Sequence, residues 1–237
     1  RRSSDLIISA VIARFLMTQQ NNPKGSMLTL HSRLIFSVFI ILSSLFLSSC
    51  FSWGGEEKDV DMTPRYYALD VDRTDIASDF PAERVLLLKP VRVVPHFKSK
   101  TLIFRIGENE YKAIEPHQFL VDPEVMFTNI VKRWLQKSGQ FSHVVTDDSI
   151  SADFVMDAAV TAFYGEKRPA YSPQSVIEMQ FFMSPADNPE KLLFQTGLRV
   201  DVDIEQATPS HVVTGWKQGT EKLLTTLESH MIFQDVR

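Results

Sequence analysis

The sequence predicts an α/β fold of the α+β kind: a single domain in which an antiparallel or mixed sheet carries two main helices packed on one face. Three observations predict it. From Leu198 to Glu205 the chain alternates, with Leu198, Val200, Val202 and Ile204 on one side and Arg199, Asp201, Asp203 and Glu205 on the other. Period-two patterning of this kind marks a strand with one dry face and one wet face. Two segments, near 123–137 and 210–229, instead repeat apolar residues every three or four positions, as amphipathic helices do. Finally, 44% of the 237 residues are hydrophobic and 23% are charged, ordinary values for a chain with a packed core.

Each element follows from its residues. Tyr66 to Val71 alternates and predicts a first strand. Arg84 to Val94 is apolar and β-rich, and Pro90 within it requires a bulge or an edge position. Leu102–Ile106 and Glu110–Ile114 flank Gly107-Glu108-Asn109, a three-residue hairpin loop. Asp122 suits a helix N-cap, Pro123 the first helical position and Glu124 the positive end of the dipole. Met126, Phe127, Ile130, Val131 and Trp134 then form one face, and Gly139 can close the helix in the left-handed conformation. Strands are predicted over Phe141–Val145, Phe154–Tyr164 and Val176–Met183. A turn at 185–189 leads to the alternating strand of 192–205. After Pro209 a helix from Ser210 to Ser229 aligns Val212, Trp216, Gly219, Leu223 and Leu227. Gly215 and Gly219 lie four apart on it, which suits close packing of helix on sheet.

The first fifty residues have another character. Residues 1–49 carry five basic residues and one acid, whereas the remaining 188 carry 20 basic and 28 acidic residues. Leu34 to Leu47 is a 14-residue apolar run interrupted only by serines, with His31 and Arg33 before it. As a helix it spans about 21 Å, short of the roughly 30 Å hydrocarbon core but suited to a secretory signal. The run ends in Leu47-Ser48-Ser49-Cys50, and Cys50 is the single cysteine. This resembles the lipobox of bacterial lipoproteins, in which the cysteine is lipidated and becomes the mature N-terminus. Met27 is the expected start and residues 1–26 an upstream extension or mis-called start. Residues 27–49 then form the signal peptide, 50–65 a lipidated polar tether and 66–237 the folded domain. Residue 51 is Phe rather than the Asp that retains enteric lipoproteins in the inner membrane. By that resemblance the anchor sits in the inner leaflet of the outer membrane, facing the periplasm. The fourteen residues from Phe51 to Pro64 reach roughly 20 Å if flexible.

A second resemblance covers nearly all of 66–230. Tyr66-Tyr67-Ala68-Leu69, Val91 to Phe97, Ile103 to Tyr111, Phe119 to Leu135, Gly139-Gln140-Phe141 and Ala152 to Phe163 follow the order and spacing of the ABC-type transport auxiliary lipoproteins. That family includes the intermembrane transport lipoprotein encoded with the paraquat-inducible MCE-type protein. Phe119 stands where many relatives have Trp. The resemblance implies a partner of an MCE lipid-transport system with an ABC permease and ATPase, and it carries over no catalytic residue. MCE assemblies are symmetric rings, so homo-oligomerisation is open. Another reading of a tethered α/β domain is a lipoprotein that scaffolds or activates a different envelope machine, such as a cell-wall synthase or secretion channel.

Chemistry is sparse. The net charge of −4 argues against a nucleic-acid partner. No phosphate-binding loop, dinucleotide fingerprint, nucleophile elbow or zincin motif occurs. The six histidines are scattered, Asp147-Asp148 reads as a cap or loop, and Asp201, Asp203 and Glu205 read as a solvated face. No enzyme activity, metal or cofactor is therefore expected. The remaining candidate is a locally basic stretch, Arg92, His96, Lys98, Lys100, Arg105 and Lys112, in an otherwise acidic domain. Such an uneven field steers partners and suits an acidic protein surface or lipid headgroups.

Overall fold

The longest strand has partners along both edges. A computed structural model describes residues 62–73, 83–147 and 150–232. The predicted signal segment, His31, Cys50, most of the tether and Asp148 lie outside the described residues. Among the described residues, one mixed sheet contains β1 (Arg65–Tyr67), β2 (Val85–Leu88), β3 (Arg92–Val93), β4 (Thr101–Arg105), β5 (Tyr111–Phe119), β6 (His143–Val145), β7 (Phe154–Glu166), β8 (Gln174–Pro185) and β9 (Phe194–Asp203). The helices are α1 (Pro123–Lys137) and α2 (Pro209–Ile232), and a 3-10 turn spans Pro95–Phe97.

One edge of β7 pairs antiparallel with β8 from Phe154↔Pro185 to Glu166↔Gln174. The other is occupied in succession by three short parallel strands. β2 pairs at Leu86↔Phe154, β3 at Arg92↔Ala159 and β4 at Phe104↔Gly165. The chain from Val85 to Arg105 thus climbs the same edge in three steps. Lys89 and Val94 donate backbone bonds to the Met156 and Val160 carbonyls, bridging the first two gaps. Pro90 has no N–H to give, and the single strand expected over 84–94 breaks there into two. The amide of Val91, beyond the break, donates to Thr128 Oγ1 of α1 at 2.8 Å. β6 extends the sheet from β2, β5 and β1 extend it from β4, and β9 extends it from β8.

Both helices lie over one face. Met156, Ala158, Val160 and Phe163 of β7 align with Met183, Phe181, Met179 and Ile177 of β8 on that face. Trp216 of α2 is fully buried against Phe163, with ring centroids 4.2 Å apart, and its indole N–H donates to the Val176 carbonyl at 3.0 Å. Phe119 stacks on Phe163 at 5.4 Å, so the aromatic expected before α1 is a core residue. The α2 stripe of Val212, Trp216, Gly219, Leu223 and Leu227 is buried as the periodicity predicts.

Two local expectations need correction. Of the first strand predicted over Tyr66–Val71, only 66 and 67 lie in the sheet, within β1; the chain from 68 to 73 leaves it and runs along α1. Leu69 and Val71 are buried as the alternation requires, but Arg133 fastens this lead-in segment, bonding the Asp70 carboxylate and the Val71 carbonyl at 2.9 Å each. Lys137 binds Asp72, and that hydrogen bond holds the Asp72 carboxyl below its ordinary range. The Asp122 side chain makes no capping bond at α1. Its carbonyl accepts the Met126 N–H at 2.9 Å, and its carboxylate lies 4.0 Å from Lys100. At the other end Gly139 adopts φ 73°, the left-handed closure that its position predicted.

The two α2 glycines differ sharply. A Cβ on Gly215 would lie 2.3 Å from Ser175 Oγ and 2.9 Å from Ile204, whereas one on Gly219 would come no nearer than 3.1 Å to Ile177. Alanine normally favours a helix over glycine by about 1 kcal/mol. Gly215→Ala is expected to lose that gain to overpacking and destabilise the domain by about 1–3 kcal/mol, while Gly219→Ala should stay within about 1 kcal/mol of wild type. Urea denaturation of both variants checks the contrast; equal effects would contradict the helix placement.

Candidate functional site

The sheet face away from the helices carries the polar and aromatic side chains. By strand alternation it displays Asp157, Ala159 and Tyr164 of β7, Glu178, Gln180 and Phe182 of β8, and Arg199 and Asp201 of β9. Arg199 bonds Asp201 at 3.0 Å, reaches Glu178 at 3.5 Å and meets the Tyr164 hydroxyl at 3.4 Å. Glu178 in turn accepts from Thr161 Oγ1 at 2.9 Å. These contacts tie three strands together on the face away from α1 and α2.

Tyr164 is nevertheless buried, because aromatics cover it. Phe97 from the 3-10 turn stacks on it at 5.9 Å, and Tyr111 meets it edge-on at 5.6 Å. His96 leans on Phe97 at 4.3 Å and on Tyr111 at 6.4 Å. The cluster joins the 3-10 turn, the start of β5 and the end of β7. His96 and Tyr111 form its exposed rim.

The six residues of the basic stretch are not one patch. Arg92 pairs in register with Ala159, is exposed and shares the face away from α1 and α2. His96 belongs to the aromatic rim. Lys112 is exposed near the start of β5. Lys98 turns to the first turn of α1, where it binds Glu124 at 2.9 Å, and this hydrogen bond lowers the Glu124 carboxyl below its ordinary range. Lys100 approaches Asp122. Arg105 folds onto its own hairpin, bonding the Glu108 carbonyl at 2.6 Å and lying 5.9 Å over the Tyr111 ring. The structure therefore brings His96 to the aromatic cluster, sets Arg92 on the same sheet face, and matches Lys98, Lys100 and Arg105 with local partners. Among the described residues no ion pair engages Arg92 or Lys112.

A feature the sequence reading missed closes this end of the molecule. Arg168 and Glu166 form a buried ion pair with two side-chain bonds, 2.9 and 2.8 Å, and Arg168 also binds Glu108 at 2.7 Å. The guanidinium lies 3.7 Å over the Tyr171 ring. Burial would raise the Glu166 carboxyl, but the Arg168 hydrogen bonds outweigh it, and the group titrates below its ordinary value. The Glu-x-Arg spacing where the β-rich run ends was the available signal, with Arg168 two residues past Glu166, the last residue of β7.

Two open grooves occur beside α2 and α1. The first, about 350 Å³, is lined by Asp203, Glu205, Ser210 and His211. Its His211 accepts or donates at 2.6 Å with Thr208, at the start of α2, while Glu205 stands 4.0 Å away and is 89% exposed. The second, about 650 Å³, lies between the lead-in segment and α1. Among the described residues no group of three His, Cys, Asp or Glu could hold a metal ion. None of the described helices is long and apolar enough to cross a membrane.

No protein-family model matches the chain, and no curated protein matches it. Solved structures do share the fold. Protein XCC0632 from Xanthomonas campestris, of the family DUF330, superposes with a TM-score of 0.64 at 16% identity, covering 72% of this chain and 95% of that one. A second protein, described only as uncharacterized, superposes at 0.57 with 14% identity, covering 71% of this chain and 99% of its own. At these identities the likeness concerns the fold.

The Glu166 pair gives a pH dependence of definite sign. Its carboxyl is depressed in the folded state, so its contribution is complete well above the ordinary value of 4.5 and is lost as pH falls through and below it. Wild type is expected to lose thermal stability over that window. Glu166→Gln should start lower at neutral pH, because it leaves a buried guanidinium short of charge, and should fall less steeply. Thermal unfolding followed from pH 7 to 3 checks this, and parallel curves would contradict it.

Proposed function

We propose that the chain is a lipid-anchored, periplasm-facing protein of the bacterial envelope. In this reading it is an auxiliary component of an MCE/ABC-type intermembrane lipid-transport system. It acts by presenting a surface to partner proteins, with no catalytic step of its own. The observation that carries the reading is the Leu47-Ser48-Ser49-Cys50 sequence closing an apolar run, followed by the motif series shared with the auxiliary lipoproteins over 66–230.

The geometry supports a surface role. The helices cover one face of the sheet, and the other is left with a rigid polar floor and an aromatic rim. Arg92 is exposed on that face and its charge is available to an acidic partner, whereas Lys112, in register with Phe104, is exposed on the opposite side of β5 from Tyr111. Lys98, Lys100 and Arg105 serve the domain's own contacts, so partner capture at this face falls to Arg92, His96 and Tyr111. The outer-membrane location and the MCE partner belong to the same proposal.

Two measurements test it. Labelled palmitate should enter the wild-type protein in cells and be absent from Cys50→Ser; label retained in the variant would refute the anchor. Affinity purification from solubilised envelopes should recover an MCE-type protein with the wild type and clearly less with Arg92→Glu at low salt. Recovery of a cell-wall synthase without an MCE protein would favour the scaffolding role instead.

A further inference from the structure

The side of the domain where the tether arrives carries apolar side chains that the core does not use. Tyr66 is 60% exposed, Leu120 61% and Val125 51%, with Val121 also exposed beside them in sequence. Three contacts draw these segments together. Tyr66 pairs with Gln118, the Leu120 amide donates to the Tyr67 carbonyl at 2.9 Å, and Val121 lines the groove of about 650 Å³ with Leu69, Met126 and Ile130. The clamped lead-in segment fixes this arrangement: Leu69 is buried and Asp70 is held by Arg133.

We propose that this patch rests on the phospholipid surface to which the tether leads. The inference rests on the anchor reading of Cys50. Fourteen residues separate Cys50 from Arg65, the first residue of β1, a length that reaches roughly 20 Å as a random coil. A lipid at Cys50 would hold this side of the domain, more than any other, within reach of headgroups. At the effective concentration that such a tether sets, a few apolar side chains suffice for docking. Aromatic and aliphatic residues with a rim of charge are the composition that settles at the boundary of headgroup and acyl chain.

The alternatives fit less well. A stable contact with a second copy needs about 800 Å² from each partner, more than four side chains offer. Electrostatic adsorption needs several unpaired basic residues, but Lys98, Lys100 and Arg133 around the patch face Glu124, Asp122 and Asp70, leaving Lys132 in the groove without an ion pair among the described residues. Contact is therefore by shallow apolar insertion and depends little on anionic lipid.

The test uses the full chain. Leu120→Cys, and independently Val125→Cys, is labelled with an environment-sensitive thiol dye in protein whose Cys50 is acylated. Asn188→Cys, in the β8–β9 turn at the opposite end of β7, is the control. In vesicles of phosphatidylcholine and phosphatidylethanolamine the dye at 120 and 125 should shift to the blue and the dye at 188 should not, with the same shift when phosphatidylglycerol is added. Water-like emission at 120 and 125 in vesicles overturns the proposal. So does a dye already shielded before vesicles are added, which would mean cover by the chain itself or by a second copy. A shift that requires phosphatidylglycerol overturns it in favour of charge. If the unmodified chain takes the dye at Cys50, the anchor reading fails separately. The comparison is then made in Cys50→Ser with the same criterion at 120 and 125.

Discussion

The strand β7 has to satisfy two sets of partners at once. β8 occupies one of its edges over the whole length, so the chain from Val85 to Arg105 must share the other. Three short strands do so, and the breaks between them fall at the prolines and the 3-10 turn. Each break frees backbone groups that something must satisfy. The Val91 amide finds Thr128, which brings α1 onto the sheet, and the 3-10 turn delivers Phe97 to Tyr164. The helix packing and the aromatic cluster on the opposite face both follow from the way that one edge is filled.

The same arrangement divides labour between the faces. Trp216, Phe163, Phe119 and Phe127 fill the helix side, and close approach of α2 is permitted by Gly215 over Ser175. The other side holds Arg199, Glu178, Asp201 and Thr161 in fixed mutual contacts. Prearranged side chains lose little freedom on binding, which suits the surface role proposed for this face. The charge-matched lead-in segment meanwhile fixes the tether's point of attachment.

What the sequence revealed was what neighbouring residues decide. The α2 stripe, the alternation of β9 and the closure of α1 at Gly139 depend on spacing within one element, and the structure repeats them. The lead-in segment leaves the sheet even though it alternates, because the burial of Leu69 and Val71 is met by packing along α1 rather than by a neighbouring strand. The basic stretch looked continuous because Glu124 and Asp122, which take Lys98 and Lys100, lie more than twenty positions on. Pairing between distant segments leaves no local period to read. The Glu166–Arg168 pair was visible in spacing, but only burial gives it weight.

The central claim is that the sheet face away from α1 and α2 is the working surface. It is tested most directly by a photo-crosslinking amino acid placed in living cells at Gln180 or Arg92, with Lys222 on the exposed side of α2 for comparison. The account predicts a crosslinked MCE-type protein from 180 and 92 and none from 222. Crosslinking from 222 alone would contradict it and move the interface to the helices.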